Sequence, residues 1–264
     1  MQIRLDGKIA LVTASSKGIG FGIAKTFRLA GARVCICARN QEGLRHAAEA
    51  LADGHPDRVL ALHGDLGDAA FLQSLVENTV RRFGGSIDIL VNNNGGPPAG
   101  ETLSMTDEQW FGAINRNLLS VVRLSALAIP GMKKKGWGRI INLASTTAKE
   151  PDPGMVLSNV TRAGVAAYAK TLAREVGPFG ITVNTILTGG CLTDRFYALL
   201  REEIGGTSTS LDEAVARIEK TIPVQHLATP DEFAQTILFL ASEEAGYLTG
   251  ASIPLDGGAS RSTF

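Results

Sequence analysis

A glycine-containing turn near the amino terminus has the residues and the position of a phosphate-binding loop. Residues 13–20 read TASSKGIG and lie between an apolar run at 8–13 and a helical pattern that starts at Ile19. At such a turn, unpaired N–H groups and the positive end of the helix dipole attract a pyrophosphate. Gly18 and Gly20 allow a tight turn and close packing of the helix on the sheet. This placement predicts a dinucleotide site, whose loop residues are Thr13, Ser15, Ser16, Lys17, Gly18, Ile19 and Gly20.

Two cationic residues occupy the positions that usually distinguish NADP(H) from NAD(H). An NAD site usually has a carboxylate after the second strand, where it accepts a hydrogen bond from the ribose 2′-hydroxyl. Here residues 38–40 are Ala-Arg-Asn, so Arg39 and Asn40 stand in place of an acid. The planar fork of Arg39 suits a 2′-phosphate, and Lys17 adds a second positive charge. We therefore expect NADP(H) to be preferred over NAD(H); the alternative is that both are ordinary surface cations.

Alternating apolar and amphipathic segments must position these residues. The predicted strands are 8–13, 33–38, 58–63, 87–92, 139–144, 181–187 and 252–256, and the predicted helices are 19–30, 43–52, 69–83, 107–128, 160–176 and 230–241. The first six strands are apolar on both faces, which is typical of a parallel sheet covered by helices. The pattern predicts a single-domain, Rossmann-type, doubly wound α/β fold with a seven-stranded parallel sheet and helices on both faces. Residues 191–224 break the alternation, and we expect them to form a lid over a site.

The overall composition excludes several classes of function. Lys and Arg together number 26, as do Asp and Glu, so nothing indicates binding to nucleic acid or an anionic membrane. No apolar run approaches the ~18 residues of a membrane span, and the first residues do not resemble a signal peptide. Three cysteines do not make a disulfide framework, and Cys35 and Cys37 alternate on one face of a strand, where we expect burial. We expect a cytoplasmic protein without a metal site.

These motifs resemble those of the short-chain dehydrogenase/reductase family, whose glycine loop reads T-G-x-x-x-G-x-G. The resemblance extends over essentially the whole chain and includes 3-oxoacyl-carrier-protein reductases. Ala14 replaces a glycine of the motif, and we expect its backbone to avoid positive φ. The resemblance implies further cofactor contacts: Asp65 and Leu66 at the adenine, Asn93 and Gly95 beside the cofactor, and Thr188, Gly189 and Thr193 toward the nicotinamide.

The resemblance also implies a catalytic set, from which this chain departs at two positions. Asn117 matches the asparagine that holds a catalytic water, and Ser145 matches the serine that binds the substrate carbonyl. The family's Tyr-x-x-x-Lys pair donates the proton and holds the nicotinamide ribose. Its two positions fall on Ser158 and Arg162 here. Ser158 is a poor proton donor, whereas Arg162 can still hold ribose hydroxyls and stabilise a developing alkoxide.

The missing tyrosine leaves the proton donor open. Lys149 follows Ser145 by four residues, and apolar walls together with Arg162 would lower its pKa. A water held by Asn117 and Ser158 is a second possible source, and a solvent-facing Lys149 beside Glu150 is the alternative for the lysine.

Two functions are compatible with this sequence. The first is an atypical NADP(H)-dependent oxidoreductase that reduces a small carbonyl substrate with an apolar part. The alternative is a catalytically silent NADP(H)-binding sensor or partner subunit that kept the fold. The resemblance implies a homo-oligomer, a tetramer or dimer, and an apolar helix face of Ala163, Gly164, Ala167 and Leu172 suits such an interface.

Overall fold

A seven-stranded parallel sheet forms the centre of the computed structural model, which describes residues 3–263. The strands lie in the order β3-β2-β1-β4-β5-β6-β7. Their bounds are β1 Ile9–Val12, β2 Arg33–Ala38, β3 Val59–His63, β4 Ile89–Asn92, β5 Gly138–Leu143, β6 Ile181–Thr188 and β7 Ser252–Leu255. The order reverses between β1 and β4, where doubly wound sheets open a crevice for ligands. The predicted fold class is confirmed.

Helices cover both faces of the sheet. Their bounds are α1 Gly18–Leu29, α2 Gln41–Ala52, α3 Ala69–Phe83, α4 Asp107–Ala113, α5 Ser120–Lys135, α6 Val156–Val176, α7 Asp194–Ile204, α8 Leu211–Glu219 and α9 Pro230–Leu240. One apolar layer joins α1, α2 and α9 to the sheet, and the other joins α3, α5 and α6 to the opposite face. Successive β1 residues alternate between the layers, since Ile9 and Leu11 face one and Ala10 and Val12 face the other.

The helix predicted at 107–128 differs most from the structure. It divides into α4, a π-helical turn at Ile114–Leu119 and α5, which continues to Lys135. The predicted end at residue 128 was wrong, because the helix continues through Pro130. It ends instead at Gly136, whose φ of +65° is left-handed. The basic run 133–135 occupies the last turn, where positive charge interacts favourably with the negative end of the helix dipole.

The two cysteines of β2 are buried side chains, as predicted. Cys35 and Cys37 lie in one apolar layer, and burial raises the pKa of Cys37 to about 12. Such thiols behave as small hydrophobic groups rather than as a redox pair. Within residues 3–263, His, Cys, Asp and Glu form no group of three that could bind a metal. In the same range, no helix has both the length and the apolar character to cross a membrane.

Candidate active site

A cleft of about 1750 Å³ opens at the carboxyl ends of β1 to β4. The predicted cofactor residues that line it are Ser16, Lys17, Gly18, Ile19, Gly20, Arg39, Asn40, Asp65, Leu66, Asn93, Gly95 and Thr193, and the catalytic candidate Asn117 lines it too. The other predicted site residues lie outside its wall: Thr13, Ser15, Ser145, Lys149, Ser158, Arg162, Thr188 and Gly189.

Thr13 and Ser15 hold the glycine loop from beneath. Thr13 Oγ1 donates to the Asn93 carbonyl at 2.6 Å and accepts from the Asn93 N–H at 2.9 Å. Ser15 Oγ donates to the Val12 carbonyl at 2.6 Å. Both hydroxyls are buried, so these two residues fix the turn rather than face the cleft.

Ala14 adopts a positive φ of 47°, so the expectation that it avoids this region was wrong. The surrounding hydrogen bonds impose the conformation, since the neighbouring Thr13 is bound to Asn93 and the Ala14 carbonyl accepts from Asn93 Nδ2 at 3.0 Å. An L-residue there is strained, and fixed neighbours must offset that cost.

The first turn of α1 is open toward the cleft. Its N-cap residue, Lys17, makes no capping side-chain hydrogen bond, whereas side chains cap α2, α3, α4, α7, α8 and α9. A Cβ added at Gly20 would lie 2.5 Å from the Ala14 carbonyl oxygen, so only glycine fits under the turn. The N–H groups of α1 are therefore presented to a ligand in the cleft.

The two predicted phosphate-binding cations are exposed at the cleft. Lys17 Nζ forms an ion pair with Asp194 Oδ2 at 2.9 Å. Arg39 lies in the cleft wall and has no carboxylate in ion-pair contact within residues 3–263. Asn40 has a structural role, because its Oδ1 accepts from the Gly43 N–H at 2.6 Å and caps α2.

Asp65 is held as a carboxylate at the wall. Its Oδ1 accepts from the Gly67 N–H at 2.8 Å, and the Arg116 Nε lies 3.3 Å away. Burial opposes ionisation, but these two donors outweigh it and lower the pKa of Asp65. Arg116 was not predicted from the sequence, since 51 residues separate it from Asp65.

Ser145 and Ser158 are joined through Thr147. Ser145 Oγ, at the end of β5, accepts from the Thr147 N–H at 3.2 Å, and Thr147 Oγ1 lies 3.5 Å from Ser158 Oγ. Ser158 is only 5% exposed. Sequence reasoning missed Thr147, although the run of three hydroxyl residues at 145–147 is a signal for such local hydrogen bonds.

Asn117 lies on the π-helical turn with an unsatisfied acceptor. Its Nδ2 donates to the Ala113 carbonyl at 3.2 Å, while its buried Oδ1 has no partner within residues 3–263. The π-turn is often found at functional sites because it redirects one side chain out of the helical register. A buried amide oxygen without a partner is a suitable position for a bound water.

Arg162 is buried behind the cleft wall. Its Nη1 donates to the Leu143 carbonyl at 2.8 Å and its Nη2 to the Asn94 carbonyl at 3.5 Å. Burial lowers the pKa of Arg162 to about 10, and the positive charge of Arg195 acts in the same direction. The guanidinium thus links the end of β5 to the loop after β4.

Lys149 does not enter the cleft. Its side chain is exposed and absent from the wall, so the apolar surroundings that its proposed proton-donor role requires are not found.

Residues 191–224 close one side of the cleft with their first helix. Thr193 caps α7, since its Oγ1 accepts from the Phe196 N–H at 3.3 Å, and its methyl would lie 3.3 Å from a Cβ at Gly18. Arg195 Nη2 donates to the Pro97 carbonyl at 3.1 Å. Thr188 and Gly189 make backbone-directed hydrogen bonds at the end of β6, to the Ala144 and Leu255 carbonyls.

Comparisons with known proteins agree with this architecture. A family model described as enoyl-(acyl carrier protein) reductase matches residues 13–260. The 3-oxoacyl-[acyl-carrier-protein] reductase FabG of Haemophilus influenzae is 37% identical over 254 residues, which are 96% of this chain and 98% of the relative. The Escherichia coli FabG is 36% identical over 256 residues, covering 97% and 98% of the two chains.

Solved structures give the same result. L-sorbose reductase from Gluconobacter frateurii, complexed with NADPH and L-sorbose, superposes with a TM-score of 0.94 at 33% identity, over 99% of this chain and 100% of that one. A single-residue variant of actinorhodin polyketide ketoreductase with NADPH gives a TM-score of 0.90 at 32% identity, over 97% and 98%. With the observed strand order and glycine turn, these matches show that the chain belongs to the short-chain dehydrogenase/reductase family of oxidoreductases.

Proposed function

We propose that this protein is an NADPH-dependent reductase that transfers a hydride to a carbonyl group without the family's tyrosine. The observation that carries the proposal is the uncapped amino terminus of α1, which faces a cleft bearing Lys17 and Arg39. The relatives solved with NADPH support the same cofactor.

The residues of the cleft fit a phosphorylated dinucleotide. Glycine at position 20 lets α1 pack closely under the turn, and the α1 N–H groups suit a pyrophosphate. Arg39 lies at the end of β2 with its guanidinium unpaired by a carboxylate within residues 3–263, so it is available to a 2′-phosphate. Asp65, Asn93, Gly95 and Thr193 complete the walls that would hold the rest of the cofactor.

The reduced nicotinamide, when bound, supplies the hydride. Ser145 accepts a hydrogen bond from the Thr147 N–H, which leaves its own hydroxyl hydrogen for the substrate carbonyl. Arg162, which the Leu143 and Asn94 carbonyls hold behind the wall, would contribute positive charge to the site as the oxygen becomes an alkoxide. The buried Oδ1 of Asn117 would hold the water that protonates this oxygen. We favour this water over the exposed Lys149 as the proton source.

A catalytically silent NADP(H)-binding protein is the second candidate. It is favoured by Ser158, which occupies the tyrosine position but is buried and does not line the cleft. Loss of general acid catalysis typically lowers a rate by ~10²–10⁴-fold. A reductase without the tyrosine can therefore be slow enough to resemble a protein that only binds the cofactor.

Cofactor titration followed by turnover on a panel of carbonyl compounds tests the proposal. We expect the wild type to bind NADPH at least about 10-fold more tightly than NADH, because a charge-assisted contact to the 2′-phosphate is worth ~1.5–3 kcal/mol. The variant Arg39→Gln should reduce the preference for NADPH over NADH. The control Arg45→Gln removes an arginine that pairs with Glu49 on α2, and it should leave this preference unchanged.

Equal binding of the two cofactors by the wild type would refute the cofactor assignment. Tight NADPH binding without turnover of any carbonyl compound would favour the sensor.

A further inference from the structure

Two guanidinium groups near the loop after β4 lack an acidic partner. Arg162 is only 6% exposed, and its Nε is buried without a hydrogen-bond partner within residues 3–263. No carboxylate in that range forms an ion pair with Arg162 or with Arg195. Asp194, the acid next to Arg195 in the sequence, is already paired with Lys17.

The two arginines hold the same loop from opposite ends. Arg162 donates to the Asn94 carbonyl, and Arg195 donates to the Pro97 carbonyl. A Cβ at Gly96 would lie 2.8 Å from Arg195 Nη2, so glycine at this position lets the guanidinium approach the backbone. Asn94, Gly96, Pro97 and Arg195 all line the cleft, whereas Arg162 lies behind it.

Burying the positive charge of Arg162 without a counter-ion is costly, and an anion held nearby by the exposed Arg195 would reduce that cost. Burial and Arg195 together disfavour the charged form of Arg162. The cofactor phosphates are accommodated at α1, Lys17 and Arg39, on the β2 side of the glycine loop. The positive charge on the β4 and β5 side is left for the substrate.

We propose that the substrate carries an anionic group, a carboxylate or a phosphate ester, in addition to its carbonyl, and that Arg195 binds it at the mouth of the cleft. Arg162 contributes its charge from behind the wall. The N–H groups of Arg195 other than the one given to Pro97 make no hydrogen bond within the described residues, so they can bind an anionic oxygen pair in bidentate fashion. This inference rests on the proposed reductase function.

Matched substrates that differ only in charge test the proposal. With NADPH-loaded protein, kcat/KM is measured for acetoacetate against methyl acetoacetate, and for dihydroxyacetone phosphate against dihydroxyacetone. We expect one charged member to exceed its neutral partner by about 10- to 100-fold, the usual gain from a charge-assisted hydrogen bond. Which pair shows the preference distinguishes a carboxylate from a phosphate.

Variants on one helix assign the preference to a residue. Arg195→Gln should lower kcat/KM for the preferred charged substrate at least about 10-fold and for its neutral partner less than about 3-fold, because only the former loses an ionic contact. Arg195→Lys keeps the charge but not the planar fork, and should recover part of the loss. Arg201→Gln, at the exposed far end of α7, is the matched control and should leave the ratio of charged to neutral substrate as in the wild type.

A binding assay separates this proposal from the reductase function. Calorimetric titration of the NADP⁺-loaded protein with the same four compounds reports binding without reduction, because the oxidised cofactor carries no hydride to transfer. Turnover with no preference for either charged member overturns the anion site and leaves the reductase function standing. Anion binding that depends on Arg195, without turnover, supports the anion site and overturns the reductase. If the protein neither binds nor reduces any of the four compounds, both the anion site and the reductase function are overturned.

Discussion

Ser145 and Ser158 have the same hydroxyl group but different surroundings. Ser145 is half-buried at the end of β5 and receives the Thr147 N–H, which orients it. Ser158 is nearly fully buried, and within the described part of the chain its hydroxyl has one hydrogen-bond partner, the Thr147 hydroxyl at 3.5 Å. If this chain is a reductase, the first hydroxyl polarises the carbonyl and the second acts only through its neighbours.

We therefore predict unequal effects of removing the two hydroxyls. Ser145→Ala should lower kcat/KM for a carbonyl substrate by ~10²–10³, the usual cost of losing one donor to a developing oxyanion. Ser158→Ala should lower it by less than about 5-fold, since that side chain is only 5% exposed whereas Ser145 is half-buried. Steady-state kinetics with NADPH measures both, and the NADPH dissociation constant shows that each variant is folded. A loss for Ser158→Ala as large as that for Ser145→Ala would contradict this assignment.

Single residues show where sequence reasoning succeeds and where it fails. The residues of the glycine turn were identified because phosphate binding imposes a local pattern of glycine, strand and helix. The sign of φ at Ala14 was not, because a hydrogen bond from Asn93, 79 positions away, helps to impose it. Thr147 and Arg195 were overlooked as site residues for a related reason, since their roles depend on partners that only the folded chain brings near.

At the scale of elements, strands were predicted better than helix interiors. Each strand is a short apolar run, so its position follows from composition, and β2 agrees with the prediction residue for residue. The π-turn at Ile114–Leu119 leaves the helical hydrophobic pattern almost unbroken, so periodicity could not reveal it. It nevertheless positions Asn117, the buried amide that we assign to the catalytic water.

The contact between α7 and the glycine loop is expected to affect the affinity for NADPH. Lys17 is shared between Asp194 and, in our proposal, the 2′-phosphate of the cofactor. Asp194→Asn removes the competitor, so NADPH should bind about 2- to 5-fold more tightly while NADH binding changes little, as befits an exposed ion pair of ~0.2–1 kcal/mol. Fluorescence titration of both cofactors measures this.

A second exposed pair on α1 provides the control. Lys25 lies 3.8 Å from Asp231, away from the cleft, so Asp231→Asn should alter neither dissociation constant. Weaker NADPH binding by Asp194→Asn would mean that this carboxylate holds the 191–224 segment in its binding position instead of competing for Lys17.

At the scale of the whole molecule, the outer face of α6 is the surface to consider for association between copies of this chain. Val160, Ala163 and Ala167 recur at helical spacing, and all three are exposed, Val160 by 51%. Leu172, which the sequence grouped with them, instead packs into the apolar layer on one face of the sheet, and a Cβ at Gly164 would lie 3.2 Å from Leu118. The apolar stripe that remains uncovered is therefore narrower than predicted, but it is small and smooth enough for close helix packing.

We infer that this stripe meets the same stripe of a second copy, and we predict that Ala167→Arg weakens the assembly. A long charged side chain cannot be accommodated where two helices pack closely, while on the exposed surface of a single protomer it costs little. Light scattering after size-exclusion chromatography should give a multiple of the protomer mass for the wild type and a smaller mass for the variant, with the far-UV circular dichroism unchanged. Ala50→Arg places the same side chain on the exposed face of α2 and should keep the wild-type mass. A wild type that is monomeric at micromolar concentration, or a variant with the wild-type mass, would exclude this face as the interface.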